Sequence, residues 1–250
     1  MIHSFLLIGQ SNMAGRGFLS EAEEIKSDRI KVLRNGRWQN MFRPVTPDRI
    51  TAGVCLAESF AEKYAEKYGV DVGLIPCADG GTSLDQWKSG GLLYDNAVNN
   101  ARLAMRTSTI AGVLWHQGEA DCPITLARQY KPKFEAIMES LRSDLDLYDV
   151  PFILGGLGDF LAHCEPQEHF KSYNLVNKAL EQIAEDNEMT GFVSAKGLSS
   201  NPDNLHFNAK SLYEFGHRYF EVYEKIRNPK KVFLEKLTDD ISFRTEMEKL

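Results

Sequence analysis

A serine at position 11 stands in the stretch Gly9-Gln10-Ser11-Asn12-Met13-Ala14-Gly15, directly after an apolar run. At a strand-to-helix turn such a hydroxyl is exposed, and the dipole of a helix start favours an alkoxide or oxyanion beside it. Ser11 is therefore a candidate nucleophile, although a helix cap is an equally good local use of it. The base it would need is offered near the other end of the chain, in Asn201-Pro202-Asp203-Asn204-Leu205-His206-Phe207-Asn208. Asp203 and His206 are three apart, so on a helical turn they share a face at about 5 to 6 Å and the carboxylate can hold the imidazole in one tautomer. An Asp capping the next helix and a surface His are the plain alternative.

Two further polar stretches interrupt the middle of the chain. Cys77-Ala78-Asp79-Gly80-Gly81-Thr82-Ser83-Leu84-Asp85-Gln86-Trp87 carries paired glycines that let a backbone approach a ligand and leave an amide free to donate. Gly80, or Gly81 next to it, is a candidate oxyanion donor; a simple turn explains the pair as well. Trp115-His116-Gln117-Gly118-Glu119-Ala120-Asp121 offers the Gln117 amide as another donor toward developing negative charge. His116 in this stretch reads as structural support in preference to a base, while Glu119 is a second carboxylate available for chemistry.

Chemistry of this kind needs a frame that brings distant stretches together. Nearly continuous apolar runs at Phe5 to Ile8, Val70 to Pro76, Ile110 to Trp115, Phe152 to Leu157 and Phe192 to Ala195 read as strands covered on both faces. Helical periods lie between them at Ala52 to Tyr68, Asn96 to Arg106, Thr125 to Leu145, Phe170 to Glu188 and Ala209 to Ile226. Leu56, Phe60, Tyr64 and Tyr68 form one such apolar stripe, and Gly69 supplies its C-cap. The alternation predicts a three-layer α/β/α domain around a mostly parallel, five-stranded sheet. In such sheets ligands bind at the carboxyl ends of the strands, and each of the four polar stretches follows a strand. The segment from Gly15 to Thr51 has no clear period and reads as an irregular excursion near the site. Residues 1–228 are expected to form the domain and 229–250 a charged helical tail.

Composition narrows the class. The chain has 250 residues, 43% hydrophobic and 26% charged, and a formal net charge of -6, which places it among globular proteins. That charge leaves no basic footprint for nucleic acid. The most basic stretch, Lys225, Arg227, Lys230 and Lys231, runs into the acidic Glu235, Asp239 and Asp240 and reads as a solvated face. Cys55, Cys77, Cys122 and Cys164 form no CxxC pair, so neither a zinc nor a redox motif is indicated, and free thiols fit a reducing compartment. The first residues lack a basic leader pattern, and no apolar run reaches the roughly 20 residues of a spanning helix. These features favour the cytoplasm and no membrane partner, and leave room for a homo-oligomer.

Taken together and in this order, the four stretches resemble the SGNH hydrolase superfamily, with its flavodoxin-like fold. They are most similar to its sialate O-acetylesterase-like and acetylxylan esterase-like branch, carbohydrate esterase family 6. GQSNMAG at Gly9 to Gly15 and WHQGEAD at Trp115 to Asp121 are specific to that branch; Gly-Gly-Thr-Ser at Gly80 to Ser83 and Asp-x-x-His at Asp203 to His206 are weaker signals strengthened by order.

The resemblance implies a serine esterase acting on O-acetyl groups of carbohydrates through an acetyl-enzyme, with no metal or organic cofactor. Ser11 would be the nucleophile, His206 the base and Asp203 the acid, with Glu119 as an alternative acid or support. The Ser11 amide, the Gly80 amide and the Gln117 side chain would form the oxyanion hole. Acetylated xylo-oligosaccharides and O-acetyl sialic acids are the expected substrates. Because aromatic faces commonly line ligand pockets, the loops around Trp38 and Trp87 and the Gly15 to Thr51 excursion are the expected docking surface, with packing an equally good use of Trp87. An esterase or thioesterase for other acyl groups, and a carbohydrate-binding protein without catalysis, are the rival readings.

Overall fold

The computed structural model describes residues 2–227. Its strands are β1 (Ile2–Gly9), β2 (Ile30–Arg34), β3 (Arg37–Asn40), β4 (Asp71–Pro76), β5 (Ser108–His116), β6 (Phe152–Gly155) and β7 (Thr190–Val193). They form one seven-stranded sheet in the order β3-β2-β4-β1-β5-β6-β7, in which only the β2–β3 pair is antiparallel. The five strands expected from the apolar runs are β4, β1, β5, β6 and β7, so in chain order they lie second-first-third-fourth-fifth. This is the flavodoxin-like arrangement.

The two additional strands correct the reading of the 15–51 segment as wholly irregular. β2 and β3 are joined at Asn35-Gly36, whose φ values of 53° and 75° are the left-handed pair a two-residue hairpin needs. β3 is four residues long and largely exposed, so its apolar signal was faint.

Helices lie on both faces: α1 (Ser11–Ala14), α2 (Leu56–Tyr68), α3 (Leu84–Trp87), α4 (Leu92–Met105), α5 (Ile124–Ala127), α6 (Tyr130–Leu145), α7 (Gln167–Phe170), α8 (Tyr173–Asp186) and α9 (Ala209–Ile226). The helix expected over 125–145 is two pieces, and Pro132 marks why, since it fits in the first turn of α6 but not in a helix interior. The helix expected over 170–188 is likewise preceded by the short α7. On one face, Tyr94, Phe134, Met138, Val176 and Leu180 carry α4, α6 and α8 onto the sheet. On the other, Phe60, Tyr64, Leu212, Phe215 and Tyr219 carry α2 and α9. Each such side chain removed from water contributes about 1.5 to 3 kcal/mol. α2 and α9 approach so closely at Gly216 that a Cβ there would lie 2.1 Å from Ser59 Oγ and 2.2 Å from Leu56 O.

Register explains why the polar stretches meet. Leu7 of β1 pairs with Pro76 of β4, and Gly9 pairs with His116 of β5. The chain therefore leaves three adjacent central strands at the same height. The charged tail expected over 229–250 lies outside the described residues. Among the described residues, no helix is long and apolar enough to cross a membrane.

Candidate active site

Gly9 ends β1 at φ 129°, and a Cβ there would fall 2.1 Å from His116 O, so only glycine permits this exit beside β5. The chain then turns into α1, where the amides of Met13 and Ala14 donate to Gln10 O. Ser11 opens that turn, where the leading backbone amides have no acceptor within the helix. Its side chain is near the surface but sheltered, with the residue 6% exposed.

The loop after β7 supplies the partner. Asp203 Oδ1 accepts from the backbone amides of Leu205 (2.9 Å) and His206 (3.0 Å), folding the loop so that Asp203 Oδ2 meets His206 Nδ1 at 2.7 Å. The other ring nitrogen, Nε2, lies 3.0 Å from Ser11 Oγ. Carboxylate, imidazole and hydroxyl thus form one hydrogen-bonded chain, joined across 195 residues of sequence. With Nδ1 donating to Asp203, Nε2 presents a lone pair to the serine O–H. Partial burial works against charge on Asp203, but the two amides and the imidazole outweigh it and hold the carboxyl below its ordinary value.

Other expected participants are placed differently. The Gly80 amide lies in the same hollow but donates to Asp48 Oδ2 at 2.8 Å. Gln117 is wholly buried, and its amide nitrogen gives its hydrogens to Thr82 O (2.9 Å) and Asp121 Oδ2 (2.6 Å). As folded, each of these two donors is bonded to an internal acceptor. Of the expected three, only the Ser11 amide stands at an open helix start.

Glu119 is not the acid on the histidine, because His206 Nδ1 is held by Asp203; it accepts from Asn12 Nδ2 at 2.5 Å instead. His116 is fully buried with Nε2 bonded to Gly156 O at 3.1 Å, as expected of structural support, and burial, against the opposing pull of Glu119, keeps it below the ordinary imidazole value.

A hollow of about 390 Å³ opens over Ser11 and His206, walled by Gln10, Gly80, Gly81, Glu119 and Phe170 among others. That size is within the range of small-ligand sites. A larger groove of about 800 Å³ runs between the 23–29 segment and α2, but its walls hold no such hydrogen-bonded serine and histidine. The tryptophans do not line the hollow over Ser11. Trp87 is 1% exposed, bonded through Nε1 to Thr82 Oγ1 and packed edge-on to Trp115. Trp38 donates to Thr107 Oγ1 and covers Gly73 of β4. Both are packing residues: for Trp87 this is the alternative use held open for it, and for Trp38 it corrects the expected place on the docking surface.

Several wall residues went unnoticed in the sequence. Arg16 and Asp48 form a buried, two-pronged ion pair at 3.0 and 2.7 Å, with side chains 6% and 4% exposed. The pair fixes the floor under Gly80, where a Cβ would lie 2.5 Å from Arg16 Nη2. Arg49 reaches Asp79 at 2.7 Å on the rim, and His169 Nε2 bonds to Glu119 O at 3.0 Å. Arg16 directly follows the serine segment and could have been flagged by that position; Asp48 stands in aperiodic sequence with nothing to mark it. Among the described residues, no group of acidic, His or Cys side chains is arranged to hold a metal.

Against known proteins, residues 1–225 match the family described as carbohydrate esterase, sialic acid-specific acetylesterase. A probable carbohydrate esterase of Arabidopsis thaliana is 29% identical over 248 residues, covering 88% of this chain and 89% of the relative. The X-ray structure of an Arabidopsis thaliana protein superposes with a TM-score of 0.80 at 26% identity, over 89% of this chain and 98% of that one. A carbohydrate acetylesterase from Xanthomonas citri shares the fold with a TM-score of 0.67 at 19% identity, over 90% of this chain and 56% of its own.

Proposed function

The chain belongs to the carbohydrate esterase, sialic acid-specific acetylesterase family and is a carboxylic ester hydrolase; from that premise we propose that it removes O-acetyl groups from small carbohydrates through an acetyl-enzyme on Ser11. The observation that carries this reading is the Asp203–His206–Ser11 chain, at 2.7 and 3.0 Å, at the edge of the 390 Å³ hollow.

In the first half-reaction, Ser11 Oγ attacks the acetyl carbonyl carbon while His206 Nε2 takes its proton. The negative charge that develops on the carbonyl oxygen falls beside the open amide of Ser11. Asp203 stabilises the imidazolium without taking its proton. His206 then protonates the sugar oxygen as the C–O bond breaks. In the second half, His206 removes a proton from water, which attacks the acetyl-enzyme; acetate leaves and the proton returns to Ser11 Oγ.

Acetate release from acetylated xylo-oligosaccharides and from O-acetyl sialic acids tests the substrate class. Rapid release from at least one, with slow cleavage of octanoyl p-nitrophenyl ester relative to the acetyl ester, is the expected result. Preference for the octanoyl ester would replace this reading with an esterase for longer acyl groups. Parent-like hydrolysis by Ser11→Ala would remove the serine mechanism altogether.

A further inference from the structure

Asn12, next to the nucleophile, is 1% exposed, and its whole side-chain amide is committed to other parts of the chain. Nδ2 donates to Leu205 O at 3.1 Å and to Glu119 Oε1 at 2.5 Å, while Oδ1 accepts from the Phe207 amide at 3.1 Å. Leu205 and Phe207 are the two residues flanking His206. Resting on the reading of Ser11 and His206 given above, we infer that Asn12, held by the buried Glu119, is the positioning residue that fixes the histidine loop against the nucleophile.

The contacts divide the work. The Asp203 turn orients the imidazole within its own loop, through the amides of 205 and 206 and through Nδ1. Nothing in that turn sets how far the loop stands from Ser11. The Asn12 amide does, because it is attached one residue from the serine and grips the backbone on both sides of the base.

Glu119 decides which way the amide faces. A carboxylate only accepts, so it draws Nδ2 toward itself and Leu205 O and leaves Oδ1 for the Phe207 amide. Its own chain is anchored to the serine turn, since the amides of Gly118 and Ala120 both reach Gln10 Oε1 at 3.3 Å. Glu119 is 2% exposed, and its second oxygen has no partner among the described residues. A buried carboxylate so thinly paired is costly to the fold. Its use in setting the amide that holds the base accounts for its presence. The side chain touches no group in the proton path, so its effect passes through Asn12.

Exchanging the polarity of the pair tests this. Asn12→Asp keeps the side-chain volume but sets a carboxylate against Glu119 and Leu205 O; kcat for p-nitrophenyl acetate is expected to fall about 100-fold, with KM within about twofold, the size of loss that misplacing a base produces. Adding Glu119→Gln supplies an N–H in the reverse direction and is expected to recover about tenfold of that loss. A kcat of Asn12→Asp near the parent's, or a double variant no faster than the single, overturns the inference. Should Asn12→Asp not fold, the same coupling is read by comparing Glu119→Gln, which keeps an acceptor oxygen, with Glu119→Ala; at least a tenfold gap in kcat is expected, and equal rates overturn it. Ser11→Ala run in parallel separates the two levels: if it hydrolyses at the parent's rate, the esterase reading of the site is overturned, whereas an inactive Ser11→Ala beside an unimpaired Asn12→Asp overturns the positioning role alone.

Discussion

The loop after β7 and the stretch after β5 are equally rich in polar residues, yet the fold uses them in opposite ways. In the first, Asp203 and His206 remain partly open, with side chains 45% and 19% exposed, and aim at Ser11. In the second, His116, Gln117, Glu119 and Asp121 are all at most 2% exposed and spend their hydrogen bonds on one another and on other strands and loops. Polar residues at a strand end are costly unless they are satisfied. They can be satisfied by holding a reactive group or by holding its neighbours, and burial separates the two cases. On the proposed reading, the stretch after β5 braces and the loop after β7 reacts.

The comparison is most exposed to failure at its reactive side. Ser11→Ala and His206→Ala should each lower kcat by about 10⁴-fold or more, and the double variant should be little worse than either, because the groups act as one unit. Additive losses in the kinetics of aryl acetate hydrolysis would separate the serine from the histidine.

On the bracing side, Gln117→Ala should act first on stability. Leaving Thr82 O without its donor, and Asp121 Oδ2 with the Leu84 amide alone, is expected to cost about 1 to 3 kcal/mol, read as a shift in denaturant midpoint, with kcat of the folded enzyme reduced less than tenfold. A drop of roughly 10²-fold to 10³-fold in kcat at unchanged stability would make Gln117 an oxyanion donor after all.

A finer test uses pH. Asp203 is held below its ordinary value, so it stays charged from pH 8 down to about 4, and burial keeps His116 neutral below the usual imidazole range. Neither group should then add a step of its own to the kcat/KM profile above about pH 6.5. An acid-limb slope steeper than one above that pH would show that one of them titrates there after all.

The smallest effect is expected at Trp87. As a packing residue away from the hollow, Trp87→Phe should leave KM for acetylated sugars within about twofold while lowering the melting temperature, since it gives up the bond to Thr82 and part of the contact with Trp115. A large rise in KM with an unchanged melting temperature would return it to the substrate surface.

Much of this was legible in the residues alone. Continuous apolar runs marked the five central strands because strands buried on both faces tolerate little else. The Asp-x-x-His spacing and the serine after the first strand were visible because their geometry is local. The β2–β3 hairpin carried its own mark in Asn35-Gly36, although its short, exposed second strand did not stand out from the excursion around it. Asp48 was beyond reach, because its role under Gly80 arises from packing against residues more than 30 positions away.

By itself, then, the sequence determined the layered architecture, the order of the polar stretches and the residue types able to carry an acyl transfer, since periodicity and composition act over short distances. Only the tertiary structure decided which carboxylate holds His206, which amides remain open and which polar residues serve as braces. Those outcomes depend on which donors and acceptors from distant segments are left unpaired after the sheet has brought the segments together, and no local pattern records that competition.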